Sequence, residues 1–145
     1  MSKIKDPVKE VFSSNVLNSL RSVFKNRVKI ALLFGSRVHG YSLKGDYDFA
    51  IYFGRPYSLL EVGRLVSDIA EVLEASPDKV DLLVLDDAPP SVARDALMGI
   101  PIYVSDEYEL FDLRFKILVQ WLDIAEWTEH RIKELRKKWL GEQNI

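Results

Sequence analysis

Two aspartates one residue apart, Asp46 and Asp48, open an apolar run, and a Gly35-Ser36 pair closes an earlier apolar run, with nine residues between Ser36 and Asp46. The first run is Val28 to Phe34; the second continues through Phe49, Ala50 and Ile51. A carboxylate beside a core is costly unless something neutralises it. Alternation along a strand puts Asp46 and Asp48 on one face, with Tyr47, Phe49 and Ile51 anchoring the other. Two residue rises separate the Cβ atoms of the two acids by roughly 7 Å. Like charges on one face repel unless a cation lies between them. Hard oxygen ligands suit Mg²⁺ or Mn²⁺. Two such ions would bridge the carboxylates to the phosphates of a nucleotide, activating the attacking oxygen and stabilising the leaving one.

That chemistry calls for a third carboxylate. Asp81 is the best placed, at the head of the apolar run Val80 to Leu85, and parallel pairing of that run with the second one brings it beside Asp46 and Asp48. Asp78, Asp86 and Asp87 fall in loops, where an aspartate needs no special explanation. Gly35 lets the backbone approach a ligand closely. Ser36 is expected to start a helical turn whose free N–H groups favour an anion. Arg37 and Lys44 are nearby cations that could touch phosphate or base, and His39 is either a substrate-orienting group or a loop histidine. Taken singly, Gly-Ser after a strand is an ordinary turn and Asp-x-Asp an ordinary surface strand. The coincidence of all three features in a strand–turn–strand context carries the specificity.

The flanking elements are read as scaffold. An apolar stripe from Val8 through Val11, Phe12, Val16, Leu20, Val23 and Phe24 predicts a helix over 7–25. Residues 28–34 predict a strand buried on both faces, 36–41 a helical turn, 41–45 a loop, and 46–53 a second strand. A helix over 58–74 has Ser58 and Glu61 spaced as a capping box. A strand over 80–85, a short helix over 91–98 and an edge strand over 99–104 follow; Pro101 suits an edge. A long helix spans about 106–139. About eleven residues join the first two strands, so they are expected antiparallel; a helix joins the second and third, so they are expected parallel. The fold class is α/β: a small mixed sheet with helices packed on it.

The 145 residues imply one domain, with a core over about 7–104 and the C-terminal helix after it. A net charge of −2 argues against general coating of nucleic acid. There are no cysteines, so disulfides, thiolate nucleophiles and cysteine-bound zinc are excluded. The charged start is no secretory signal, no run approaches a membrane span, and a cytoplasmic location is expected.

The pattern resembles the nucleotidyltransferase superfamily that includes DNA polymerase beta. Gly35-Ser36, Asp46 and Asp48 match its signature; Arg37 and Gly40 further resemble the small prokaryotic branch called minimal nucleotidyltransferases (MNT), and Asp81 fits that branch's third acid. The resemblance implies the polymerase beta-type fold and transfer of a nucleoside monophosphate from an NTP, with release of pyrophosphate. It implies two Mg²⁺ ions held by Asp46, Asp48 and Asp81, a triphosphate gripped by Gly35 and Ser36, and acceptor activation helped by Asp81. Many members of the branch act as antitoxins of a HEPN-type ribonuclease, transferring AMP from ATP to a tyrosine of the toxin. One long helix after the core leaves little room for an acceptor-binding domain, so a partner is expected to supply the acceptor. Phe115 and Trp127, off the main helical stripe, and Trp139 suggest an interface on the C-terminal helix, for a second copy or a different protein. The competing readings are a non-catalytic subunit acting by contact and a transferase acting on a small molecule or an RNA end.

Overall fold

The computed structural model describes residues 11–35 and 46–141. Its centre is strand β1 (Ile30–Phe34), whose first four residues are all buried. Only a strand covered on both faces can be apolar at consecutive positions, which is why this run carries no alternation. Strand β2 (Tyr47–Tyr52) pairs antiparallel with β1, with Leu33 opposite Phe49 and Phe34 opposite Asp48. Strand β3 (Val80–Val84) lies parallel to β2, which sets Asp81 beside Asp48. Strand β4 (Ile100–Val104) pairs antiparallel with β1 and closes the order β3-β2-β1-β4, so Pro101 is on an edge. The expected strand directions are those observed.

Helices cover both faces. Helix α1 (Ser14–Phe24) and helix α2 (Leu59–Leu73) bury Leu20, Phe24, Leu65 and Ile69 against Leu33, Phe49 and Ile51. Helix α3 (Pro90–Leu97) and the first turns of helix α4 (Glu107–Leu140) bury Ala93, Ala96, Leu110 and Leu113 against Ile30, Leu32 and Ala50. Each fully buried Leu, Ile or Phe contributes roughly 1.5–3 kcal/mol of transfer free energy. The alternation of β2 therefore sorts its side chains between two cores.

The helix expected over 7–25 is interrupted: Val11 is helical, and Ser13 accepts the Val16 N–H at 3.3 Å and caps α1, which starts at Ser14. A serine that binds a backbone N–H three residues on starts a helix rather than continuing one. Phe12 is still buried, stacked on Phe49 at 6.4 Å, and Leu17 joins Leu20 and Phe24 inside. Residues 7–10 of the expected helix, and the expected turn and loop over 36–45, lie outside the described residues.

At α2 the Ser58 hydroxyl accepts the Glu61 N–H at 3.2 Å. The Glu61 carboxylate meets Arg55 at 2.8 Å instead of reaching back to Ser58, so the expected capping box is formed on one side. Ser58→Ala is expected to cost about 1 kcal/mol in urea unfolding, and Ser58→Asn to keep most of that stability. No loss in the alanine variant would show that the cap is redundant.

Helix α4 has 34 residues, begins at the Asp106 cap and ends at Gly141, whose φ is 61°. It is about 50 Å long. Only Leu110, Leu113 and Ile117 are buried. Beyond Trp121 every described residue but Ala125 is exposed. The apolar stripe thus serves the core only over the helix's first turns. Among the described residues, no helix is long and apolar enough to cross a membrane.

Candidate active site

Strand directions gather the sequence-predicted acids at one end of the sheet. Antiparallel pairing puts the exit of β1 beside the entry of β2, and parallel pairing puts the entry of β3 there too. Gly35 follows β1, Asp46 precedes β2, and Asp48 and Asp81 face each other across neighbouring strands. Asp48 alternates with Phe49, so it stands on the sheet face that carries Ala50, beneath α3 and α4.

The Asp48 carboxyl is held above its ordinary value of 3.8, first by burial, then by the negative charges of Asp81 and Asp46 and a hydrogen bond with Asp81. Two carboxylates in hydrogen-bond contact disfavour joint ionisation. The Asp46 carboxylate lies 3.9 Å from the Lys79 ammonium. Lys79 belongs to the turn Pro77–Lys79 that delivers the chain into β3. It carries no motif, and only its place directly before the Asp81 strand could have drawn attention to it.

Gly35 completes the cluster. Its φ is +83°, a conformation that side chains rarely adopt. A Cβ there would overlap Asp48 Oδ2 and lie 3.1 Å from Asp48 Cγ. The backbone after β1 therefore runs directly against the Asp48 carboxylate, and the missing side chain is what permits it.

Among the described residues, no three His, Cys, Asp or Glu side chains are arranged to hold a metal ion. The donor chemistry nonetheless fits a hard divalent cation: Asp48 and Asp81 are in contact, and their shared negative charge is unfavourable without one. Among the described residues, the Lys79 ammonium is the cation paired with this set, at Asp46. Ser36, Arg37, His39 and Lys44 lie outside the described residues.

The other aspartates near β3 have structural partners. Asp86 accepts the Phe53 and Gly54 N–H groups, both at 2.9 Å, and so ties the far end of β2 to the turn after β3. Asp87 accepts the Tyr57 hydroxyl and Asp78 the Ser76 hydroxyl. A hollow of about 290 Å³ at that far end, lined by Tyr52, Gly54, Asp86 and Lys116, includes none of the three site aspartates.

A four-stranded mixed sheet between helix pairs, entered at one end by these strands, is the architecture of the nucleotidyltransferases. The description "Polymerase beta, Nucleotidyltransferase" matches residues 18–108, more than half of the chain. The protein belongs to the polymerase beta nucleotidyltransferase family. No curated protein matches it.

Solved structures share the fold at low identity. A chain of a toxin–antitoxin complex with AMP-PNP is 16% identical with a TM-score of 0.67, over 86% of this chain and 98% of that one. A chain from the complex of a tri-AMPylated Shewanella oneidensis HEPN toxin with an MNT antitoxin is 14% identical with a TM-score of 0.64, over 83% of this chain and 95% of that one. A mutant MntA–HpeT toxin–antitoxin complex bearing two aspartate-to-glutamate changes supplies a third chain, 16% identical with a TM-score of 0.64, over 86% and 98% of the two chains.

Proposed function

We propose that this chain transfers AMP from ATP to a protein hydroxyl, a tyrosine of a HEPN-type toxin, and thereby acts as the antitoxin. The observation that carries this reading is the contact of Asp48 with Asp81 beside Gly35, at the strand ends of a nucleotidyltransferase fold. The likeness to chains of HEPN–MNT complexes, one with AMP-PNP and one with an AMPylated toxin, supports the choice of nucleotide and acceptor.

Asp46, Asp48 and Asp81 would hold two Mg²⁺ ions, or Mn²⁺ in their place. When bound, the metal supplies positive charge to the triphosphate and makes the acceptor hydroxyl more acidic. The chain's own groups then divide the work. Gly35 lets the backbone after β1 lie against the Asp48 carboxylate, Ser36 donates to a triphosphate oxygen, and Arg37 and Lys44 meet phosphate or base. The tyrosine oxygen attacks the α-phosphorus, forming a P–O bond. The bond from the α-phosphorus to the α–β bridging oxygen breaks, and pyrophosphate leaves with that electron pair. Asp81, on the strand beside Asp48, takes the tyrosine proton.

Incubation with labelled ATP, Mg²⁺ and the product of the neighbouring gene is expected to label a tyrosine of that protein. The Asp46→Asn and Asp48→Asn variants should fold and leave the toxin unlabelled. An unlabelled toxin in the wild-type reaction would sink the proposal.

A second reading has one observation in its favour. The Lys79 ammonium lies 3.9 Å from the Asp46 carboxylate, so a cation of the chain itself already meets that charge. A binding subunit that neutralises its partner by contact would need no more. If the Asp46→Asn/Asp48→Asn double variant neutralises the toxin as fully as the wild type, contact is the mechanism.

A further inference from the structure

Helix α4 packs on the sheet through Leu110, Leu113 and Ile117, and the same stripe runs on through Ile124, Thr128, Ile132, Leu135 and Trp139. These later positions keep three- and four-residue steps and so share one face. Ile132 is 52% exposed and Trp139 80% exposed. An apolar stripe rarely continues for several turns into water, and contiguous exposed apolar surface marks an interaction site.

The charges beside the stripe select its occupant. Residues 123–129 carry Asp123, Glu126 and Glu129 and no cation except the neighbouring His130 when protonated. Residues 131–138 carry Arg131, Lys133, Arg136, Lys137 and Lys138 against the single acid Glu134. Parallel pairing of two such helices sets like against like. Of these charges, Glu129, Arg131, Arg136 and Lys138 flank the stripe, and antiparallel pairing sets Glu129 of each copy against Arg136 of the other.

One register satisfies the apolar and charged positions together. A two-fold axis at Ile132 places Ile132 on its own copy and Leu135 opposite Thr128. Trp139 then falls opposite Ile124 and Ala125, a large side chain against smaller ones. Along one flank Glu129 faces Arg136 of the other copy. Along the other, Lys138 faces Trp127, which is 66% exposed and offers a cation–π surface. Arg131 approaches its symmetry mate, and its charge is already met by Glu134 at 3.4 Å in its own helix. The overlap spans 124–140, about 25 Å. It stops short of Trp121, where Arg94 of α3 stacks at 3.9 Å, so the two domains stay at opposite ends.

We propose that the free half of α4 pairs antiparallel with the same segment of a second copy of this chain, centred on Ile132. The interface is isologous, so each contact occurs twice. It leaves the aspartate cluster outside the dimer contact and is independent of what the site transfers.

Sedimentation of the full chain alone, up to on the order of 100 µM, is expected to show a dimer. Ile132→Asp should give a monomer with unchanged near-ultraviolet circular dichroism. Glu129→Arg and Arg136→Glu should each raise the dimer Kd about tenfold, and the two together should restore it to within about threefold. A monomer throughout the range would overturn the proposal and assign the stripe to a different protein. So would a dimer that survives Ile132→Asp, or a charge exchange that fails to restore pairing.

Discussion

Asp48→Asn is expected to lower nucleotidyl transfer about a thousandfold or more and, in the same protein, to raise its melting temperature without added metal. The first effect follows from the proposed role of Asp48 in holding the catalytic cation. The second follows from its surroundings. Burial and the charges of Asp81 and Asp46 hold the folded-state pKa of Asp48 above the ordinary value of 3.8. The folded state therefore binds this proton more tightly than the unfolded chain does. The contribution to stability is complete below the unfolded pKa and is lost as pH rises through the folded one. At neutral pH the wild type folds against carboxylate repulsion that asparagine, of nearly the same shape, lacks. Mg²⁺ should reverse the order: it binds the folded wild type and raises its melting temperature, and it should do so far less for the variant. Thermal melts of both proteins between about pH 4 and pH 8, with Mg²⁺ and with a chelator, measure all of this. An asparagine variant that melts below the wild type in chelator, or gains as much from Mg²⁺, would remove the electrostatic account of the cluster.

The parts of this fold that follow from short-range rules were legible in the sequence. The unbroken apolar run of β1 required cover on both faces, and the alternation of β2 separated Asp48 from Phe49. The connection lengths set β2 antiparallel to β1 and parallel to β3, which was enough to put Asp81 next to Asp48. Three features needed the structure. Ser13 could have continued a helix or capped one, and its hydroxyl resolves that choice only once the chain has turned. Lys79 meets Asp46 across a parallel pair of strands, a contact with no local pattern. The stripe on α4 has one periodicity whether its own domain or another chain covers it, so the sequence shows the face and the burial of Ile117 against the exposure of Ile132 shows where cover stops. Asp46 is a related case. Its spacing places it with Asp48, and its ammonium neighbour is seen only once the turn before β3 is in place.

The other large effect is expected at a position with no functional group. Gly35→Ala should destabilise the protein by about 2 kcal/mol and lower transfer about a hundredfold. Two physical terms are involved. A non-glycine residue held at φ +83° is strained whatever the space around it. In addition the new methyl overlaps Asp48 Oδ2, with Asp48 Cγ at 3.1 Å and Cβ at 3.2 Å, so the carboxylate must leave its place beside Asp81. Only the second term damages the site, because a carboxylate displaced by about 1 Å no longer holds its ligand in line. A double-mutant cycle separates them. In Asp48→Ala the overlapping oxygen and Cγ are gone, so adding Gly35→Ala to it should cost the backbone strain and the 3.2 Å approach to the remaining Cβ, without the overlap. The stability loss from Gly35→Ala should therefore be about 1 kcal/mol smaller in the Asp48→Ala background than in the wild type. Equal losses in the two backgrounds would mean that Gly35 is required for the turn alone and that its approach to Asp48 is incidental. A smaller loss in the Asp48→Ala protein would make the absence of a side chain at Gly35 part of the construction of the carboxylate site.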